Sequence, residues 1–537
     1  AHQRRYYMDI LDYTVIFVHL TGMLVLGFLL RKQSSKQDYF LGGRELGWKP
    51  LTLSIMATQL SAVSFISAPA FVGFREGGGL IWLSYELAVP LAMLLLLGTV
   101  LPTLYKSGVV SIYAYLENRF SVSTRLCISA VFQFSRAFST GIMIYALSII
   151  LQGTMGITPW QAVLLIGVVT LLYSLQGGMK AVVYGDAVQM VIIILGTLVC
   201  AYVGMTQLGG FDRFLQLVPS DRLTAVNFSS LGFSGDSFGF FPMVLGGIIL
   251  YASYYGCDQS EAQRALSAKS DKELRKMMFA NGIFRFPITL LYCASGLIVG
   301  TLAFSDAEFL AQIPTDNPDW LMPIFILNYL PHGVIGLLVV AILAAAMSSL
   351  SSAINSLTAV SVEDFKRLYS RFNKDTLDEN SHLRIARIIG VAWGVITLVL
   401  SLNAGAIAPT VIEAINKVGS VFFGPVLAVF LLGILSVRVQ SLDVNIGLVA
   451  GVGTNIMLAF FVPTVFWFWW NAIGFCVASV MALLLSRRHT KAFSKTTATP
   501  NNRIKHHSVL TRSIAFLLIG YFILLVAICW FIPAYLG

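Results

Sequence analysis

Charge is what this sequence has least of. Asp, Glu, Lys and Arg make up 12% of its 537 residues against 57% hydrophobic ones, and the mean hydropathy is +0.78. Soluble domains carry about 25% charged residues, so too little charge is present to cover a water-facing surface of this size. Histidine and cysteine are scarce as well, with seven and six copies. No HExxH sequence occurs, and His506 and His507 fall in a basic segment. Cys127, Cys200, Cys257, Cys293, Cys476 and Cys529 lie in or beside apolar runs without paired spacing, which reads as small apolar side chains rather than a disulfide framework or metal site. Walker, nucleophile-elbow and kinase motifs are missing too, and an enzyme is not expected.

What fills the chain instead is a series of apolar runs, each near the roughly 20 residues needed to cross a bilayer. Fourteen can be traced, near 10–30, 47–75, 80–105, 122–155, 159–178, 182–205, 239–258, 276–305, 332–361, 383–405, 409–436, 441–461, 463–487 and 511–535. The first contains Asp9, Asp12 and His19 and has no small-residue cleavage site, so it is expected to be a retained helix rather than a signal peptide. The net charge of +10 is not a nucleic-acid signature: 28 of the 36 Lys and Arg fall in alternate connections, and only five in the opposite ones. That positive-inside pattern places a multi-pass protein in the plasma or inner membrane with both termini outside.

Three basic residues, Arg136, Arg285 and Lys417, remain within or at the edge of spans, and Glu86, Asp186, Asp258 and Glu413 lie at similar depth. Buried ionisable groups are costly in a membrane and usually mark a site or a pathway; the plainer reading is snorkelling or structural pairing. Two spans carry polar residues at their centres. The second has Thr58, Gln59, Ser61 and Ser64, and the seventh has Ser253, Gly256 and Asp258. Such centres in corresponding spans of two halves suggest broken helices whose freed backbone groups line a midplane site. The stretch AILAAAMSSLSSAIN, 341–355, places Ser348, Ser349, Ser351 and Ser352 at spacings of three and four, on one helical face. Hydroxyl oxygens suit a small hard cation, but a small-residue packing face explains the spacing equally well.

The segments DYFLGGRELGW (38–48), ATQLSAVSF (57–65), QGGMKAVVYGDAVQ (176–189), QRALSAKS (263–270), AAAMSSLSSAINS (344–356) and FFGPVLAVFLLGIL (422–435) resemble the sodium/solute symporter family, in its order and over most of the chain. The resemblance implies an all-α, LeuT-type five-plus-five inverted repeat forming a single transporter domain over 1–537. In it 10–30 is an extra helix, 47–205 and 239–436 are the two repeats, and 441–535 holds the C-terminal helices. It implies a main sodium site from the carbonyls of Ala57, Leu60 and Ala345 with the hydroxyls of Ser348 and Ser349. A second sodium site, found in some members, would use Asp186 with Ser348, Ser351 and Ser352, so two ions are expected.

For the solute, the positions that bind sugar in some relatives are here Glu86 with Tyr85 beside it, Arg285, Asp258 and Asn416. Only the Glu matches. Members that carry sialic acid clamp its carboxylate with an Arg in the fourth span, where this chain has Arg136, beside polar groups of the broken second helix, here Gln59, Ser61 and Ser64. Guanidinium is the side chain best shaped to grip a carboxylate. The expectation is therefore a monomeric sodium-coupled importer of an organic anion, sialic acid or another carboxylate, with a neutral hexose as the alternative. A transporter-like sensor and a channel are the rivals from other classes; the tail after 487 offers a basic segment and one more apolar run rather than a signalling domain.

Overall fold

The structure is a computed structural model that describes residues 8–33, 35–60, 62–235, 237–372, 379–403, 411–489 and 508–536. Ser61 and the basic segment with His506 and His507 lie outside these residues. Among the described residues there is no β-strand, only an isolated bridge between Leu46 and Ala268. Twelve helices are long and apolar enough to cross a membrane, and a bent pair makes a thirteenth span. The one remaining expected span, near 159–178, is the shorter apolar helix Pro159–Leu172. It runs on toward Leu208 through a kink at Gly178 (φ 57°, ψ −147°). A side chain is strained at that positive φ, and a Cβ there would also collide with the Tyr39 carbonyl.

Both spans with polar centres are broken. Trp48–Gln59 and Val63–Gly73 meet at 55°, with Leu60 capping the first arm (φ −80°, ψ 59°). Phe240–Cys257 gives way to Gln259–Leu266 through Asp258, whose backbone is extended (φ −96°, ψ 125°). Asp258 accepts a hydrogen bond from the Ser260 amide at 2.8 Å, so the same residue ends one arm and caps the next.

Small residues let the outer arm Val63–Gly73 lie directly against the long helix Asp271–Ser305. A Cβ on Gly73 would run into the Gly296 carbonyl, and one on Gly300 into the Gly73 carbonyl. Close backbone approach of this kind is how helices pack where lipid removes the hydrophobic drive. Three of the basic connections, around 31–50, Lys180 and 263–276, meet at one end of the bundle. There Lys180 pairs with Asp38 (3.3 Å) and Glu45 (3.2 Å), and the Trp48 amide donates to Glu273 at 2.9 Å. At the opposite end Arg75 grips Glu413 with two bonds of 2.8 and 2.7 Å, joining the tip of Val63–Gly73 to the start of Val411–Leu435. Asp319 there accepts from Ser67 at 2.6 Å, and burial pushes its carboxyl up to about 6.

Asp12, the acid that stands out in the first apolar run, clasps the helix Ile10–Leu29 to the bundle. One carboxylate oxygen accepts from the amides of Gly333 (2.6 Å) and Gly336 (2.7 Å), and the other meets His332 Nδ1 at 2.9 Å. Asp9 lies nearby, and the donors on both Asp12 oxygens, His332 and the Gly333 and Gly336 amides, make this carboxylate a clasp. The bond to Asp12 raises the His332 pKa above its ordinary 6.5. A raised folded-state value means that the imidazolium's contribution is complete below 6.5 and is lost as pH rises through the shifted value. Thermal unfolding of the wild type and of His332→Gln should therefore differ most below about pH 6.5 and converge as pH rises through the raised value; no difference at any pH would assign the clasp to the backbone amides alone.

Candidate functional site

The break in the second span opens onto a cavity of about 110 Å³, whose wall the seventh span joins through Leu250 and Tyr254; it has room for on the order of ten waters. Gln59, Ser64, Tyr85, Glu86, Arg136, Arg285 and Asn416 line it, seven of the nine residues expected to meet the solute. Asp258 instead lines a smaller neighbouring cavity of about 40 Å³, and Ser61 is outside the described residues.

The charged groups in the wall are paired across helices. Arg285 Nε donates to Glu86 at 2.8 Å and its Nη2 at 3.3 Å, with side chains 4% and 2% exposed. Glu86 also accepts from the Tyr251 hydroxyl at 3.0 Å, and Tyr251 stacks on Tyr85 with centroids 4.4 Å apart. Arg136 pairs not with Glu86 but with Asp258, and its guanidinium lies 5.4 Å from the centre of the Tyr254 ring. Asn416 donates to the Ile412 carbonyl at 2.8 Å, and Gln59 accepts from Tyr255. Most of the polar side chains singled out in the sequence are thus already partnered.

Four polar atoms are not. Arg285 Nη1, Thr289 Oγ1, Tyr292 OH and Ser349 Oγ are buried in the cavity wall without a hydrogen-bond partner. Arg285, Thr289 and Tyr292 sit at i, i+4 and i+7 of Asp271–Ser305, on one face. Thr289 and Tyr292 escaped the sequence reading because a lone hydroxyl in an apolar span is ordinary; only the i, i+4, i+7 spacing from Arg285 carried a signal.

The comparisons with known proteins fit this geometry. Residues 39–451 match the sodium:solute symporter family. The chain belongs to that family. The human sodium-coupled monocarboxylate transporter 1 is 30% identical over 448 residues, covering 81% of this chain and 71% of its own. The human sodium/iodide cotransporter is 29% identical over 455 residues, 83% and 69% of the two chains. A putative sodium-dependent multivitamin transporter of Drosophila melanogaster is 30% identical over 434 residues, 79% and 70%. Among solved structures, a sodium-coupled sialic acid symporter in a substrate-bound outward-open state superposes with a TM-score of 0.80 at 22% identity, covering 89% of this chain and 98% of that one. The LeuT-type fold is therefore this symporter's fold, and the chain is a transporter rather than an enzyme.

The symporter's expected main sodium site fits the residues that surround it. Ala57 and Leu60 lie where Trp48–Gln59 ends, and a helix end leaves its last carbonyls without intrahelical partners. Ser349 Oγ is buried and unbonded. Ser348 gives its proton to Asp186 at 2.9 Å, which leaves its lone pairs free for a cation. Ala345 lies one turn earlier on the same helix, Val334–Phe372.

The expected second site differs. Asp186 takes bonds from Ser54 (2.7 Å), Ser348 (2.9 Å) and Arg264 (2.6 Å). Ser351 and Ser352 give their protons to the Ser348 carbonyl at 3.0 and 2.8 Å, and Ser352 also bonds Arg264. A guanidinium thus sits among the oxygens proposed for the ion. Two like charges 4 Å apart repel by about 4 kcal/mol even at an effective dielectric near 20.

Removing one partner of a buried pair leaves the other charge uncompensated, at a cost of about 3–5 kcal/mol. Glu86→Ala should therefore destabilise the detergent-solubilised protein by that order, and the double substitution Glu86→Gln with Arg285→Met should recover most of it. Equal thermal stability of Glu86→Ala and wild type would show that the pair is not desolvated.

Proposed function

We propose that this symporter imports a small monocarboxylate together with sodium by alternating access. The observation that carries the reading is the row of unpartnered buried groups on one face of Asp271–Ser305. A buried polar group without a partner costs about 1–3 kcal/mol, and a solute that supplies acceptors to a guanidinium N–H and two hydroxyls removes that cost. A carboxylate offers two oxygens with about four lone-pair sites.

A neutral hexose is served less well. Sugar hydroxyls need acceptors as well as donors, and here both oxygens of Glu86 are engaged by Arg285 and Tyr251. The Asn416 oxygen faces the Tyr85 hydroxyl at 3.5 Å. The cavity's size favours a solute of about ten non-hydrogen atoms or fewer, which points to carboxylates smaller than sialic acid. The names of the relatives agree with an anion: monocarboxylates in one case and iodide in another.

Coupling follows from shared residues. Ser349 lines the solute cavity and also belongs to the proposed main sodium site, so an ion bound there sets the electrostatics of the cavity. It fixes the break between Trp48–Gln59 and Val63–Gly73 against Val334–Phe372, and it offsets the solute's negative charge. The loaded protein then opens toward the end where these three basic connections meet, which the positive-inside pattern assigns to the cytoplasm, and low sodium there empties both sites. On this reading the chain works as a monomer in the plasma or inner membrane, with both termini outside.

Two measurements in proteoliposomes test the reading. Removing one of five ion ligands in Ser349→Ala should raise the sodium concentration for half-maximal uptake about tenfold, from a loss near 1–2 kcal/mol; unchanged sodium activation would overturn the main-site assignment. In a panel of labelled solutes, a short monocarboxylate should be taken up and its methyl ester refused. Thr289→Val and Tyr292→Phe should each raise KM for the acid about fivefold, the equivalent of about 1 kcal/mol. Equal uptake of acid and ester would return the choice to a hexose.

A further inference from the structure

Behind the serine face lies a buried ionic network that the solute cavity does not use. Arg264, on the second arm of the broken seventh span, is 1% exposed, and Asp186 opposite it is fully buried. Arg264 Nη2 lies 2.6 Å from Asp186 and bonds Ser352, Nε donates to Ser54 at 2.7 Å, and Nη1 donates to the Ser260 carbonyl. Ser54 passes its own proton to the same Asp186 oxygen at 2.7 Å. The guanidinium therefore joins four elements: Gln259–Leu266 that bears it, Trp48–Gln59, the Pro159–Leu208 helix, and Val334–Phe372.

We propose that Arg264 is a tethered cation standing in for the second sodium ion, so that this symporter binds a single sodium ion per chain. A mobile ion at Asp186 would have to bring together a carboxylate and hydroxyls from separate helices; Arg264 already does so, with directed bonds and no dependence on sodium concentration. Asp186 takes its bonds from Arg264, Ser54 and Ser348, and Ser351 and Ser352 give their protons to the Ser348 carbonyl, so the guanidinium occupies the place that a second sodium ion would need. A consequence is that import of a monocarboxylate with one sodium ion moves no net charge. The inference rests on the sodium coupling of the family and not on the identity of the solute.

The test counts sodium directly. Radiosodium binding to the purified full chain in detergent, without solute, should saturate at one ion per chain with a Hill slope of one, and Ser351→Ala should leave both unchanged. Arg264→Gln exposes the Asp186 carboxylate and should raise the count to two, and adding Asp186→Asn to it should bring the count back to one. Two ions bound by the wild type, with one lost in Ser351→Ala, would overturn the proposal, as would a folded Arg264→Gln that still binds one. Should Arg264→Gln not fold, the wild-type count and Ser351→Ala decide alone. No bound sodium in the wild type would instead overturn the sodium reading itself, and this proposal with it.

Discussion

A charge taken into the interior of a membrane bundle must meet its opposite there, because lipid and packed side chains cannot solvate it. This symporter satisfies that requirement at least four times: Arg264 with Asp186, Arg285 with Glu86, Arg136 with Asp258, and Arg125 with Glu117 and Asp364. Each pair joins different helices, so the ion pairs double as the bundle's polar fasteners. They also set the chemistry of the cavity. With Glu86 and Asp258 engaged, the wall offers donors at Arg285, Thr289 and Tyr292 in place of acceptors.

The breaks in two helices are the second half of this arrangement. Within an intact helix, carbonyls are occupied four residues on; ending Trp48–Gln59 at Leu60 releases some in the middle of the bundle, beside the unbonded Ser349 hydroxyl. Asp258 ends its own arm and caps the next, and the same carboxylate holds Arg136. Local backbone irregularity and long-range pairing are thus the same residue acting twice. Gly73, Gly296 and Gly300 then bring the face that carries Arg285, Thr289 and Tyr292 against the outer arm of the break.

The sequence alone determined the membrane class, the spans, both broken helices and the serine face. These are properties of composition and local order: apolar runs of set length, a polar centre where a helix cannot continue, hydroxyls at spacings of three and four. The same local logic identified Arg136, Arg285, Glu86, Asp186 and Asp258 as buried charges, since each stands out against its apolar neighbours.

Which charge meets which was decided only by the tertiary structure. Arg136 faces Asp258, 122 positions away, rather than Glu86, and Arg264, counted in the sequence among the connection residues, turns inward to Asp186, 78 positions away. Pairing depends on how helices distant in sequence cross, and spacing along one helix carries no information about that. For the same reason Thr289 and Tyr292 were invisible until a cavity gave their hydroxyls a direction, and the place expected to hold a second ion proved to lie within reach of a guanidinium.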